Sequence, residues 1–190
     1  QRIRQALNLQ EILDNTVREV RHCLGVDRVL IFQLFPNRLG RVVSESVAEG
    51  YQASVGMEFP DEEFPSNCYE RYCQGLPRIV LNVETDPFAP CLVEFMKQMG
   101  VRSKVVVPIL KPFEDRDPLW GLLIAHQCRR VRPWNDGEVE MLGQRAAQVS
   151  LAIQQADLYA QVQASEARLR TMFEQAAVGI AIGDLNGRLY

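Results

Sequence analysis

The sequence predicts an α+β domain, in which helices pack on an antiparallel sheet. A helical pattern ends at Gly25 and is followed by two strand-like runs, residues 26–34 and 41–48, with a turn between them. Two more strand-like runs, 104–110 and 119–126, come after a long excursion. Runs joined by short connections pair as antiparallel hairpins, and another helical pattern follows the last run. A sheet covered by helices is therefore the expected architecture.

The composition is that of one globular core with a connecting segment. Of the 190 residues, 47% are hydrophobic, and no apolar run approaches the roughly 18 to 20 residues that span a bilayer. The 21 basic and 24 acidic side chains give a formal net charge of −3, so the chain lacks the basic surplus that binds phosphates or anionic lipids. We expect no nucleic-acid or membrane contact. The N-terminus is unlike a signal peptide, which favours a cytoplasmic location.

Sequence motifs of the common enzyme classes are absent. The chain has no glycine-rich phosphate loop, no Gly-x-Ser-x-Gly elbow and no His-Glu-x-x-His, and its two histidines cannot build a histidine-rich metal site. A nucleophilic pair could be made from Cys91 and His126, but no local motif supports it. We therefore expect a non-enzymatic domain and keep a cysteine-dependent enzyme as the weaker alternative.

The cysteines are expected to be free thiols in a reducing compartment. Their number is odd, their spacing is irregular and none forms a Cys-x-x-Cys pair, which argues against a disulfide framework and a zinc site. In the absence of other information, each cysteine is interpreted as a small buried hydrophobe. The five positions are Cys23, Cys68, Cys73, Cys91 and Cys128.

Two helices have recognisable ends. Asn8 with Glu11 is a capping-box pattern, and apolar residues then recur at helical spacing up to Gly25, which predicts a first helix over residues 8–24. Asn135 with Glu138 repeats the capping pattern at the start of a second helix. Apolar residues in that helix step by threes and fours, as in a coiled coil or bundle: Val139, Leu142, Ala146, Val149, Ile153, Ala156 and Ala160.

The second helix is longer than one small domain needs. The sequence contains no proline after Asn135, which allows a helix up to about Glu174. We interpret its far half as a connector and expect a parallel homodimer through the terminal helices. The predicted division is a domain over 1–158, a helical linker over 159–175 and the truncated start of another domain over 176–190.

Three segments identify the family. The runs Val-Arg-Ser-Lys-Val-Val-Val-Pro-Ile-Leu (101–110), Leu-Trp-Gly-Leu-Leu-Ile-Ala-His-Gln-Cys (119–128) and Arg-Pro-Trp (132–134) resemble the GAF domains of phytochromes and cyanobacteriochromes. The resemblance extends from about Leu9 to about Ala156. It implies the GAF fold, with a central antiparallel sheet of about five or six strands, flanking helices, and long N- and C-terminal helices.

Within this family, the excursion carries the residues that bind a linear tetrapyrrole, or bilin. Asp61 is similar to the aspartate that faces the pyrrole nitrogens, and a carboxylate there balances a protonated chromophore. Arg71 is similar to the arginine that binds a propionate with two parallel hydrogen bonds, and Tyr72 would add a second contact. Cys91 matches the cysteine that attaches the bilin through a thioether, for which a thiolate is the suitable nucleophile.

Further pocket residues are implied by the same resemblance. His126 is similar to the histidine that reaches the carbonyl of ring D. Glu63 stands where two-cysteine members of the family have their second thiol, and Lys104 is a candidate to tune the proton affinity of the chromophore. The remaining candidates are Phe59, Tyr69, Phe88, Phe95 and Leu92, the last of which replaces the histidine that usually follows the anchoring cysteine.

The resemblance also implies a function. In having leucine after the anchoring cysteine, the chain resembles the green/red chromatic-acclimation sensors. Residues 168–182 resemble the opening of a PAS domain. We expect a photoreceptor domain that carries phycocyanobilin, with biliverdin or another linear tetrapyrrole as the alternative. Downstream PAS and histidine kinase domains in the same chain would be its partners. The main rival is a GAF domain without a chromophore, which binds a small ligand or dimerises.

Overall fold

The fold is described from a computed structural model, which covers residues 2–35, 39–60, 66–86, 90–111 and 118–175. In chain order the elements are α1 (Arg2–Leu24), β1 (Arg28–Leu34), β2 (Leu39–Val47), β3 (Glu58–Pro60), α2 (Ser66–Cys73), β4 (Arg78–Val80), α3 (Pro90–Gln98), β5 (Ser103–Leu110), β6 (Leu119–Gln127) and α4 (Asp136–Gln175). The chain forms two units, residues 1–156 and 157–190. No helix in the described ranges is long and apolar enough to cross a membrane.

The first unit is built on a six-stranded sheet with the strand order β3-β2-β1-β6-β5-β4. Every neighbouring pair is antiparallel, so the predicted α+β class and the antiparallel sheet are confirmed. The four strands predicted from the sequence are present, with ends that differ by one or two residues. The excursion contains more regular structure than expected, namely two short strands and two helices.

The first helix begins earlier than predicted. It starts at Arg2, so Asn8 lies inside the helix and the prediction of an N-cap there is wrong. The preceding residues, Ile-Arg-Gln-Ala-Leu, all favour or tolerate a helix, and nothing in them stops it from extending toward the N-terminus. The C-terminal stop is confirmed, since Gly25 has a positive φ of 60° and its N–H donates to the carbonyl of His22.

One face of the sheet packs against α1 and the first part of α4. Val29 and Ile31 of β1 point to this face, as do Val105, Val107 and Ile109 of β5. The helices supply apolar residues at helical spacing, among them Leu13, Val17, Val20, Leu142, Ala146, Val149 and Ile153. The first half of the predicted seam on α4 therefore packs on the domain's own sheet.

The start of α4 is capped as predicted. The side chain of Asn135 accepts a hydrogen bond from the N–H of Glu138 at 3.0 Å, and the carboxylate of Glu138 accepts one from the N–H of Asn135 at 3.1 Å. Glu138 also pairs with Arg132, whose guanidinium donates to the carbonyl of Leu24 and to the side chain of Gln127. The beginning of α4 is thereby tied to the end of α1 and to β6.

The second half of α4 belongs to the second unit. The helix continues to Gln175, close to the predicted end at Glu174. Its exposed apolar side chains in this half are Leu158, Tyr159, Val162, Leu169, Met172 and Phe173. Residues 176–190, interpreted from the sequence as the start of another domain, lie outside the described residues, and the predicted boundaries at 158 and 175 stay predictions.

The glycine of the Leu-Trp-Gly motif has a steric role. Gly121 lies opposite Gln33 in the β1–β6 ladder, and a Cβ atom there would stand 2.4 Å from the backbone oxygen of Phe32. A backbone oxygen in a central strand cannot move aside easily. Gly121 is therefore required by the close approach of two strands.

We predict opposite effects for two glycine substitutions. Gly121→Ala should lower the free energy of unfolding by about 1–3 kcal/mol, because overpacking forces the strands apart. Gly143→Ala on α4 should raise it by about 0.5–1 kcal/mol, because alanine favours the helix. A Cβ at Gly143 meets no atom within 4 Å. Urea unfolding of both variants measures the difference, and equal stabilities would contradict the steric explanation.

Candidate functional site

The second face of the sheet is covered by α2. Leu30 and Phe32 of β1, Val106 of β5 and Leu122 of β6 point to this face and contact Cys68 and Tyr72 of α2. Because side chains alternate along a strand, a residue two positions from Leu30 or Val106, or four positions from Leu122 by way of Ile124, points to the same face. This applies to Arg28 on β1, Lys104 on β5 and His126 on β6.

These three polar residues form a row across the three central strands. Arg28 is the direct cross-strand partner of His126, and His126 is the direct partner of Lys104. Directly opposed residues have Cβ atoms about 4.5–5.5 Å apart. The side chains are buried, with 1%, 9% and 9% exposure for Arg28, Lys104 and His126. We call these three residues the polar row.

The polar row disfavours positive charge at its centre. Burial lowers the pKa of His126 well below its usual value, and the neighbouring Lys104 and Arg28 lower it further. Burial also lowers the pKa of Lys104, to about 8, and Arg78 contributes in the same direction. His126 is therefore neutral at pH 7 in the ligand-free protein, and Lys104 can exchange a proton within about one pH unit of neutrality.

A second polar cluster lies next to the row, beneath α2. Arg78 on β4 is the cross-strand partner of Val106 and pairs with Asp86 and with the thiol of Cys68. Burial raises the pKa of Tyr72, and the neighbouring Cys68 adds to the shift. Tyr72 therefore keeps its phenolic proton and can serve as a hydrogen-bond donor.

Two nitrogens of the polar row have no hydrogen bond among the described residues, namely Nε of Arg28, which forms an ion pair with Oε1 of Glu45 at 2.9 Å, and Nδ1 of His126. Nδ1 of His126 is buried and has no partner among the described residues. A buried polar atom without a partner costs about 1–3 kcal/mol. Nε1 of Trp134 also has no partner among the described residues, but Trp134 lies in the core on the face covered by α1 and α4. Because Nε of Arg28 is paired with Glu45, the nitrogen of His126 is the one on the side covered by α2 that has no polar partner among the described residues.

The structure brings several of the predicted site residues together on this face. Tyr72 is buried against the sheet, and Tyr69 packs against the same cluster. Lys104 and His126 are neighbours in the polar row. Phe95 of α3 packs instead against a third apolar cluster, which contains Met96, Met99, Val80, Val83, Val101 and Cys128.

Arg71 is placed differently from these residues. It lies on α2 with an exposed side chain, and its guanidinium donates to the carbonyl of Pro77 at 3.3 Å. Its positive charge acts to lower the pKa of Tyr72, against the larger effect of burial, but Arg71 is not part of the polar row. Its predicted contact with a propionate stays a prediction.

The other predicted residues are described only in part. Cys91 and Leu92 lie in the first turn of α3, where the structure describes the backbone alone, and the same holds for Phe59 in β3. Asp61, Glu63 and Phe88 lie outside the described residues. The position of Cys91 at the start of α3 nevertheless places the candidate attachment residue on a regular element.

Sequence reasoning missed several polar residues of this face, among them Arg28, Glu45, Arg78 and Asp86. Arg28 had a detectable signal, because it takes the inward position of the alternating set Arg28, Leu30 and Phe32 in a strand that is otherwise apolar on that face. Arg78 and Asp86 had no such signal, since β4 has three residues and Asp86 follows it in a turn.

A separate surface cavity of about 320 Å³ lies where α1 ends. It is lined by Gly25, Asp27, Gln127, Arg129, Arg130 and Arg132. The carboxylate of Asp27 is already engaged, since it accepts hydrogen bonds from Gln127 and from the N–H groups of Cys128 and Arg129. None of the predicted site residues lines this cavity. Within the described ranges, no group of histidine, cysteine and acidic residues could hold a metal ion.

Comparison with known families gives a match over most of the chain. The model of the GAF domain matches residues 8–153. The chain belongs to the GAF domain family. The fold implied by the sequence resemblance is therefore confirmed, including the antiparallel sheet, the flanking helices and the long C-terminal helix.

Relatives of this GAF domain include cyanobacterial photoreceptors and kinases. The circadian input-output histidine kinase CikA of Thermosynechococcus vestitus is 37% identical over 175 residues, which cover 88% of this chain and 24% of CikA. The chain thus spans about a quarter of that relative. The PixJ GAF domain of Thermosynechococcus elongatus, in its blue-light absorbing form, is 30% identical with a TM-score of 0.77, over 85% of this chain and 94% of that one.

Similar solved structures contain bilins. A phycocyanobilin-bound GAF domain from a cyanobacterial phytochrome is 34% identical with a TM-score of 0.70, over 83% of this chain and 91% of that one. Other similar structures hold phycoerythrobilin, at a TM-score of 0.71, and biliverdin, at a TM-score of 0.70.

The described residues of this GAF domain fit a bilin. A linear tetrapyrrole carries carbonyl oxygens, pyrrole N–H groups and propionates, and it needs an apolar surface with a few polar partners. Leu30, Val106 and Leu122 give this face its apolar character, and they are buried in the cluster that includes Cys68 and Tyr72 of α2. The unpartnered Nδ1 of His126 and the amine of Lys104 supply polar groups.

We predict that the ligand-free protein loses stability as the pH falls from 7 to 5. The unfolded chain protonates His126 near pH 6.5, whereas the folded chain resists protonation, so the unfolded state binds more protons in this range. One such group changes the free energy of unfolding by at most about 1.4 kcal/mol per pH unit. Urea unfolding at several pH values measures the slope.

His126→Gln should reduce this slope. His22→Gln removes the exposed histidine of α1 and is the matched control, which should keep the wild-type slope. An unchanged slope in the His126 variant would show that the buried imidazole is not the group responsible.

Proposed function

We propose that this domain is a photoreceptor module that binds a linear tetrapyrrole covalently at Cys91 and switches between two absorbing states. The unpartnered Nδ1 of His126 carries this proposal, because it lies buried on an apolar sheet face that also holds Lys104 and Tyr72. Relatives with bilins in their structures support it. Phycocyanobilin is the proposed chromophore, with biliverdin as the alternative.

Attachment needs no redox partner. The sulfur of Cys91 forms a bond to a side-chain carbon of the bilin, the carbon–carbon π bond of that side chain breaks, and the thiol proton is transferred to the bilin. Cys91 is the second residue of α3. The other cysteines that the structure describes, Cys23, Cys68, Cys73 and Cys128, form no disulfide bond. This set fits a reducing, cytoplasmic setting.

When bound, the bilin supplies visible absorption and a light-driven isomerisation of one of its double bonds. The residues of the domain would hold its polar groups before and after that change. His126 offers a neutral imidazole to a carbonyl, since its pKa is held low by burial and by two cationic neighbours. Tyr72 offers a phenolic proton, because burial raises its pKa.

Green/red switching with a change in chromophore protonation is the specific form that we propose. Leu92 in place of a histidine supports it, and so does Lys104, whose Nζ can gain or lose a proton near neutral pH because its pKa is lowered to about 8. Glu63 and Asp61 are the proposed carboxylates of the same proton exchange. Arg71 stays the proposed partner of a propionate.

The output would pass through α4. CikA, a relative that is a histidine kinase, supports a downstream kinase domain, and residues 168–182 resemble the opening of a PAS domain. The exposed apolar residues of the second unit recur at steps of four, seven and three: Leu158, Val162, Leu169 and Met172. This spacing supports a parallel coiled-coil dimer, through which a change in helix register could reach the kinase.

We predict that the protein, when produced with phycocyanobilin, shows two reversible absorption bands after green and red illumination. Cys91→Ala should lose the covalent fraction, measured as bilin fluorescence on a denaturing gel. Lys104→Met should move the pH midpoint of band interconversion by about one pH unit or more, because it removes a nearby positive charge. Cys23→Ala is the matched control, since Cys23 is an exposed thiol on α1. A colourless wild-type protein would support a GAF domain without a chromophore instead.

We predict that the isolated chain dimerises through the second half of α4. Val162→Glu should weaken the dimer by about tenfold or more, because a charge would be buried in the contact. Sedimentation equilibrium measures the dissociation constant. Ala164→Glu, at an exposed position about 200° away around the helix, is the control and should leave it unchanged. Equal effects of the two substitutions would contradict a contact through the apolar stripe.

A further inference from the structure

Arg28 is the most deeply buried charged residue of the described chain. Its side chain is 1% exposed, although it lies on the central strand β1. Its Nε pairs with Oε1 of Glu45 at 2.9 Å, one terminal nitrogen donates to the carbonyl of Gln52 at 2.6 Å, and the other donates to the carbonyl of Met99 at 3.4 Å. One guanidinium therefore joins β2, the segment after β2 and the turn after α3.

Glu45 extends this set of contacts. Its carboxylate accepts hydrogen bonds from the N–H of Ser54 at 2.6 Å, from the hydroxyl of Ser54 at 2.7 Å and from the N–H of Val55 at 3.2 Å. Arg28 and Glu45 thus both hydrogen-bond to the segment from Gln52 to Val55. We call Arg28, Glu45 and the backbone groups that they bind the clasp.

The clasp reaches the helix that carries Cys91. Met99 follows α3 directly, and the chain then turns at Gly100, where φ is +73°. A guanidinium at the end of a helix binds its free carbonyl groups and opposes the negative end of the helix dipole. Because α3 is one regular element of nine residues, fixing its C-terminal end also limits the position of the backbone at Cys91.

The same side chain borders the polar row. Arg28 is the direct cross-strand partner of His126, and its charge contributes to keeping His126 neutral. Arg28 therefore lies between two parts of the proposed site, the attachment helix and the polar row. Those parts are far apart in sequence, and Arg28 contacts the turn after α3 from a strand that pairs with β6 at His126.

We propose that Arg28 is a positioning residue of the bilin site, which fixes the distance between the backbone of Cys91 and the polar row. This inference rests on the proposed covalent attachment of a bilin. Its effect is on the rate of attachment, because a thiol and a conjugated side chain react only at a suitable mutual position, and a misplacement of about 1 Å can cost about 100-fold in rate. Arginine is required because a lysine could not reach both carbonyls at once.

The test measures the rate at which purified apoprotein attaches added phycocyanobilin. Arg28→Met keeps much of the side-chain volume and removes every donor, and it should slow attachment by about 10- to 100-fold. The rate at which iodoacetamide labels Cys91, followed by mass spectrometry, should not be slowed, because the thiol itself is unchanged. A wild-type attachment rate in folded Arg28→Met would overturn the proposal.

Arg132→Met is the matched control for loss of stability. Arg132 also pairs with an acidic residue and donates to a backbone carbonyl, that of Leu24, but it packs on Trp134 on the other side of the sheet. Its attachment rate should stay within about twofold of the wild type, far below the effect of misplacement. A similar slowing in both variants would show that instability alone explains the effect.

Two further variants keep the inference testable if Arg28→Met does not fold. The double variant Arg28→Met, Glu45→Met replaces the buried pair with apolar side chains, an exchange that is often neutral for stability. It should fold and still attach slowly, and a wild-type rate would overturn the proposal. Arg28→Lys keeps the charge beside Glu45, so it should recover the melting temperature more than the attachment rate. Absence of any adduct in the wild type would instead refute the proposed function, and this inference with it.

Discussion

The register of the three central strands determines where the chemistry of this domain lies. β1 and β5 both pair with β6, and the pairing sets Arg28, His126 and Lys104 side by side on one face. A shift of β6 by one residue would move His126 to the face covered by α1 and α4 and would separate it from Arg28 and Lys104. The close approach of β1 and β6 at Gly121 holds the register at the other end of the same ladder.

Burial of so many cationic groups on one face requires compensation, since an unpaired buried charge costs several kcal/mol. Arg28 is compensated by Glu45 and by two carbonyls, and Arg78 by Asp86. His126 is compensated by losing its charge, because burial lowers its pKa well below the usual value, whereas burial lowers the pKa of Lys104 only to about 8. The two arginines are thus stabilised by ion pairs, whereas His126 and Lys104 are groups whose protonation can change.

The sequence predicted the sheet and the helices well because their signals are local. The β-branched and aromatic composition of 26–34, the apolar run 119–126 and the capping box at Asn135 depend on residues that are neighbours in the chain. Asn8 shows the limit of a local signal, since a capping pattern was present but the preceding residues also favour a helix. The clasp could not be predicted, because Arg28, Gln52 and Met99 meet only when three separate segments pack together. His126 and Lys104 were found through family resemblance, whereas their adjacency follows from strand pairing alone.

Two adjacent residues at the C-terminal end of β6 make contacts on opposite sides of the sheet. His126 points to the side of the sheet covered by α2, while the next residue, Gln127, donates to Asp27 and accepts from Arg132, which pairs with Glu138 at the beginning of α4. One peptide bond thus divides a surface that would meet the chromophore from the hydrogen bonds that anchor the outgoing helix. A displacement of β6 by a fraction of an ångström would therefore change the contacts of His126 and of Gln127 together. Such a change would pass from one face of the sheet to the other, across the strand and not along it.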